Sequence, residues 1–136
     1  TADHSTGGLT LGANGDYRWE PQALHRIIQS VPSMVEFIKT SDLSAQQRLA
    51  YLQSALQFEL TEEEIQAVFA MDMNAENRPL EAVVKAFIDR KTNTGWTTWG
   101  HTAVDVQVFA IGPGANQFAG HQDNTDIAKS IFKLLD

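Results

Sequence analysis

An aspartate and a histidine stand side by side at Asp3-His4, and Ser5-Thr6-Gly7-Gly8 follow at once. A carboxylate oxygen and an imidazole nitrogen are good zinc donors, and the two glycines let the backbone turn sharply beside them. Neighbouring side chains on a straight strand point to opposite faces, so the pair can serve one ion only where the chain is bending. A second histidine, His101, closes Gly95-Trp96-Thr97-Thr98-Trp99-Gly100-His101-Thr102, just outside an apolar strand pattern. If these two distant corners meet, the chemistry on offer is that of a bound metal ion. Taken singly, each is weak, because adjacent acid and histidine are common in solvated loops and a histidine before a strand often only packs and hydrogen bonds.

The remaining candidates read more simply as structure. His25 falls on the polar side of its helical pattern, and His121 sits in a loop between Gly120 and Asp123, so both are expected at the surface. Trp96 and Trp99 are expected as loop anchors packing on neighbouring elements, since a tryptophan combines a large apolar body with one N–H. Glu62-Glu63-Glu64 places negative charge at a helix N-terminus, where the dipole favours it. No Gly-x-Ser-x-Gly, phosphate-binding loop or His-Glu-x-x-His is present.

The elements that must carry the two corners can be read from periodicity. Leu9-Thr10-Leu11, between glycine pairs, reads as a short strand ended by the turn Gly12-Ala13-Asn14-Gly15. Leu24, Ile27, Ile28, Val31, Met34, Val35 and Ile38 recur at three and four, and Pro32 predicts either two helices meeting near Ser30 or one kinked there. Ser44 with Gln47, and Thr61 with Glu64, are capping-box pairs opening two further helices. Leu80, Val83, Val84, Phe87 and Ile88 mark the clearest helix, with Pro79 in its first turn. Val104, Val106, Val108 and Ala110 alternate with Asp105, Gln107, Phe109 and Ile111, which predicts a strand entering a covered sheet. Gly112-Pro113-Gly114 stops it, and Asp123 caps a last helix whose packing stripe is Ile127, Ile131, Leu134 and Leu135. The expected organisation is one unit over 1–136: a metal-corner loop and short strand at 1–16, a helical insertion at 17–93, and the His loop, strand and C-terminal helix at 94–136.

Bulk properties bound the alternatives. A chain of 136 residues with 43% hydrophobic and 20% charged residues is that of an ordinary globule, able to bury roughly 68% of its unfolded surface. The net charge of −7, with ten scattered Lys and Arg, gives no footprint for nucleic acid. No apolar run approaches the roughly 20 residues of a membrane span. The absence of cysteine excludes disulfides and thiolate chemistry. The chain opens on Thr1-Ala2-Asp3 without methionine, as expected of one that has been processed, trimmed or cut.

Thr1 to Gly8, Thr94 to Thr102, Val104-Asp105-Val106, Phe109 to Gly114, and Phe118-Ala119-Gly120 leading into Asp123 to Ala128 together resemble the C-terminal part of bacterial alkaline phosphatases, in order and spacing. The resemblance implies an α/β fold: a C-terminal fragment of a three-layer sandwich, with a short sheet remnant and a largely helical insertion. It implies a parent that hydrolyses phosphate monoesters through a phosphoserine, with two zinc ions and a magnesium ion as cofactors. By the same resemblance Asp3 and His4 are ligands of the zinc that activates the serine, and His101 is a ligand of the zinc that generates the attacking water. The serine, the phosphate-gripping arginine and the other ligands belong to motifs upstream of Thr1, so no catalytic residue is expected here and the isolated chain is expected to be inactive. The sequence departs from the family at Ala103, more often glycine, and Gln107, often proline. The resemblance further implies periplasmic or secreted placement; charge and apolar patterning lead to the expectation of no nucleic-acid and no membrane partner, and a homodimer is left open. The rival readings are a non-enzymatic scaffold with vestigial metal corners, and a small domain in which Asp3, His4 and His101 share one zinc.

Overall fold

The computed structural model describes residues 1–135. In chain order the strands are β1 (Ser5–Thr6), β2 (Thr10–Leu11), β3 (Thr94–Gly95) and β4 (His101–Thr102). The α-helices are α1 (Val31–Thr40), α2 (Ala45–Leu56), α3 (Glu62–Phe69), α4 (Asn77–Thr92) and α5 (Asn124–Leu135), with short 3-10 helices at Pro21–Arg26 and Ala115–Phe118. The chain divides into two compact units: Leu9–Trp96, and Thr1–Gly8 together with the chain from Thr97 onward. Among the described residues no helix is long and apolar enough to cross a membrane.

The Leu9–Trp96 unit is helical because its sequence starts and stops helices locally. Ser30 Oγ accepts the Ser33 N–H at 3.3 Å and opens α1, while Pro32 lies in the first turn, where no N–H is required. Of the two arrangements the sequence allows near Ser30, the break is therefore the one formed. Both capping boxes close reciprocally. Gln47 N–H donates to Ser44 Oγ at 3.3 Å and Ser44 N–H to Gln47 Oε1 at 2.9 Å. Glu64 N–H donates to Thr61 Oγ1 at 3.3 Å and Thr61 N–H to Glu64 Oε2 at 2.8 Å. Met34, Val35 and Ile38 of α1 meet Leu52 and Leu56 of α2, Val68 of α3 and Leu80, Val84 and Phe87 of α4 in one apolar core. Fully burying such a side chain is worth about 1.5–3 kcal/mol, so this core is the main source of the unit's stability. β2 and β3 pair antiparallel at its edge, Thr10 opposite Gly95 and Leu11 opposite Thr94. Trp96 is anchored on α4, its Nε1–H donating to Asp89 Oδ1 at 2.9 Å with Lys85 Nζ 4.8 Å over the ring.

In the other unit β1 and β4 form an antiparallel ladder, Ser5 opposite Thr102 and Thr6 opposite His101. The α5 cap is as the sequence predicts: Asp123 Oδ1 accepts the Thr125 hydroxyl at 2.7 Å and the Thr125 N–H at 2.9 Å. These two bonds, the hydroxyl first, hold the Asp123 carboxyl below the usual carboxylate range. The strand predicted over Val104 to Ile111 is not formed among the described residues. Val106 and Val108 are half-buried, but Phe109 and Ile111 stay open, at 80% and 102% exposure. The predicted packing stripe of α5 is also largely uncovered, with Leu135 at 77%, although Leu134 lies against Gly114. Alternation specifies the faces of a strand, but a strand exists only where a neighbour completes its ladder, and the described part of this unit supplies none for 104–111.

Candidate metal centre

The ladder of β1 and β4 brings the two sequence corners together. In the register Ser5↔Thr102 and Thr6↔His101, His4 continues the ladder one step before β1 and is the diagonal neighbour of His101 on the same face. Diagonal cross-strand residues are within reach when their side chains are aromatic. The two imidazoles stack, with ring centroids 3.5 Å apart and planes inclined by 19°.

Behind them Gly7 makes the turn. Its N–H donates to the Gly100 carbonyl at 2.9 Å, and its carbonyl accepts from Thr97 N–H at 2.8 Å and Thr98 N–H at 3.2 Å. Gly8 follows at φ +63°, and a Cβ there would lie 2.7 Å from Thr97 Oγ1 and 3.3 Å from Thr102 Cγ2. The site thus uses glycine both for left-handed backbone and for space. Gly8→Ala is expected to cost about 1–3 kcal/mol, read as a lower denaturation midpoint. Thr97→Ala in the same chain should recover part of the loss by removing the clash, while the backbone strain remains.

The side chains of Asp3 and His4 present nitrogen and oxygen atoms to each other. His4 Nδ1 lies 3.1 Å from the Ser5 carbonyl oxygen. A carbonyl only accepts, so Nδ1 carries the hydrogen and, in the neutral ring, Nε2 presents its lone pair. That nitrogen is 3.2 Å from Asp3 Oδ2, while Asp3 Oδ1 accepts the His4 N–H at 3.1 Å. The contact is an ion pair when the imidazole is protonated, and in the neutral ring both facing atoms are lone-pair donors. Zinc bonds of about 2.0–2.2 Å at a tetrahedral angle place two donors roughly 3.3–3.5 Å apart, close to the separation found. The pair therefore fits a zinc ion.

His101 is near but does not converge on the same point. A ligand nitrogen binds in the plane of its ring, and planes inclined by 19° at centroids 3.5 Å apart intersect on the order of 10 Å away, far beyond a zinc–nitrogen bond of about 2.0–2.1 Å. Among the described residues no group of three or more His, Cys, Asp or Glu side chains is gathered as a metal site. The corner offers two neighbouring donors, and a third whose ring plane does not meet theirs at one ion. His121 is at the surface as expected, its Nδ1 3.4 Å from Asp105 Oδ2 with both side chains 83% exposed.

This arrangement has relatives. The family model described as alkaline phosphatase matches residues 1–136. The chain belongs to the alkaline phosphatase family. It is 37% identical to alkaline phosphatase 3 of Bacillus subtilis over 135 residues, covering 99% of this chain and 29% of that protein. It is 30% identical to the alkaline phosphatase of Schizosaccharomyces pombe, covering 95% of this chain and 25% of that one. The crystal structure of a cold-active alkaline phosphatase from the psychrophile Shewanella sp. matches at 41% identity with a TM-score of 0.83, over 99% of this chain and 33% of that one. The chain thus spans about a third or less of the alkaline phosphatases it matches, and its α/β fold, mostly helical with little sheet, is the fold of that portion.

Sequence reasoning named Asp3, His4 and His101 but missed the hydroxyl pair behind them. Ser5 Oγ and Thr102 Oγ1 are 2.7 Å apart across the ladder. The available signal was the placement of Ser5 and Thr102 next to the two histidines, which at strand period puts both hydroxyls on the opposite face.

Proposed function

We propose that this chain is the part of a zinc-dependent phosphate monoester hydrolase that supplies ligands to two zinc ions, Asp3 and His4 to one and His101 to the other. The observation that carries the proposal is the meeting of Asp3, His4 and His101 on one side of the β1–β4 ladder, with the Asp3 and His4 donors beside each other and His101 stacked out of reach of the same point. Zinc held there would supply Lewis-acid charge for an in-line phosphoryl displacement. The chain's own residues fix donor directions: the Ser5 carbonyl sets the His4 tautomer, and the Gly7-Gly8 turn sets where Asp3 and His4 lie relative to His101. Catalytic zinc sites take about three protein ligands, so the remaining ligands, the magnesium site, the nucleophilic serine and the phosphate-gripping arginine fall to the rest of a longer parent. Periplasmic or secreted placement of the parent completes the proposal.

The test is hydrolysis of p-nitrophenyl phosphate. The longer protein is expected to turn it over, to lose activity on chelation and to regain it with zinc, while the 136-residue chain alone shows none. Zinc-dependent turnover by the chain alone would contradict this division of the site.

A further inference from the structure

We propose that the Ser5–Thr102 hydroxyl pair is a positioning device for the metal corner, holding the one strand register in which His4 and His101 face the same way. The inference rests on the reading of these histidines as zinc ligands, and adds residues that touch no ion themselves. β1 and β4 are each two residues long, and so short a ladder specifies its register weakly. A slip of one residue would turn the side chains of β1 to the opposite face, separating His4 from His101. The backbone bonds of Gly7 to Gly100, Thr97 and Thr98 anchor the ladder at its turn end, and the side-chain bridge adds a register-specific contact nearer His4. Ser5 Oγ meets Thr102 Oγ1 at 2.7 Å, in a half-buried contact between directly opposed residues. Thr102 is held from a second side, because its Cγ2 packs over Gly8, where a Cβ would come within 3.3 Å. The threonine therefore uses its hydroxyl to choose the register and its methyl to seat against the glycine turn. Serine at 102 would keep the first function, and valine only the second.

The experiment uses the longer protein and compares Thr102→Val, Ser5→Ala and Thr102→Ser. Zinc affinity is measured by competition with a chromogenic chelator, and the imidazole proton shifts of His4 and His101 are followed in the metal-free, histidine-labelled protein. Thr102→Val and Ser5→Ala are expected to weaken zinc binding about 10–100-fold, as loss of groups that orient ligands does. They should also remove the ring-current displacement of the stacked imidazoles. Thr102→Ser is expected to restore both readouts to within about threefold of the parent. A merely structural role would lower the melting temperature of Thr102→Val while leaving the zinc affinity of the folded protein and the imidazole shifts unchanged, and that result overturns the inference. His101→Ala serves as the reference. If it keeps full zinc content, the ligand assignment itself fails; if it loses zinc while Thr102→Val binds as the parent does, only the positioning role fails.

Discussion

Asn93→Ala is expected to destabilise the Leu9–Trp96 unit by about 2–4 kcal/mol. Asn93 ends α4 at φ 56° and ψ 48°, a left-handed conformation that asparagine tolerates better than alanine. It is 5% exposed. Its Nδ2 donates to the Asp16 carbonyl at 3.0 Å and to the Arg18 carbonyl at 2.6 Å. Its own carbonyl accepts from Gly12 N–H at 3.1 Å and Ala13 N–H at 3.0 Å, so one residue ties the end of the longest helix to the 12–18 loop. Alanine loses two neutral hydrogen bonds, each worth about 1 kcal/mol net, and adds a left-handed penalty of up to about 1–2 kcal/mol. Asn93→Gly should remove the conformational part and be milder by up to about 1 kcal/mol. Asn93→Asp, which keeps the backbone preference but offers an acceptor to two carbonyls, should be at least as damaging as alanine. Chemical denaturation followed by helical circular dichroism reads all three. A loss below about 0.5 kcal/mol for Asn93→Ala, the scale of an ordinary surface substitution, would mean the knot does not bear on stability.

Asn93 also marks where the sequence stops being legible. Its partners lie 75 and 77 positions away, and nothing in Thr92-Asn93-Thr94 announces them. The helix starts were legible because a capping box is a rule over four residues: Ser44 with Gln47 and Thr61 with Glu64 form as read. The apolar stripe of α4 was legible for the same local reason, with Leu80, Val84 and Phe87 all buried. Pairing is non-local, and there the pattern misled. The alternation from Val104 to Ile111 specified two faces without specifying a neighbour, and the stripe of α5 specified a packing surface without what packs on it.

The candidate site divides along the same line. Asp3, His4 and His101 could be named from donor chemistry and from the resemblance of both chain ends to alkaline phosphatases. The stacking of His4 on His101, the tautomer set by the Ser5 carbonyl, and the Ser5–Thr102 bridge between residues 97 apart all depend on the register of β1 against β4. That register rests on the turn at Gly7-Gly8 and the bond from Gly7 to Gly100 together with the Ser5–Thr102 bridge, contacts between residues more than ninety positions apart that no local pattern encodes.

On the function proposed above, the corner serves two ions rather than one. The measurement that reaches it most directly is zinc counting on the longer protein and its variants, by elemental analysis after exhaustive dialysis against metal-free buffer. The parent is expected to hold two zinc ions, His101→Ala to lose one and keep the other, and Asp3→Ala or His4→Ala to lose the complementary one. Each variant should lose well over about 100-fold in turnover of p-nitrophenyl phosphate, because groups that merely orient ligands already contribute about 10–100-fold. Double variants sort the donors: Asp3→Ala/His4→Ala should retain the zinc of His101, whereas His4→Ala/His101→Ala should retain none. A single zinc lost alike on replacing Asp3, His4 or His101 would contradict the two-ion account and establish one shared site.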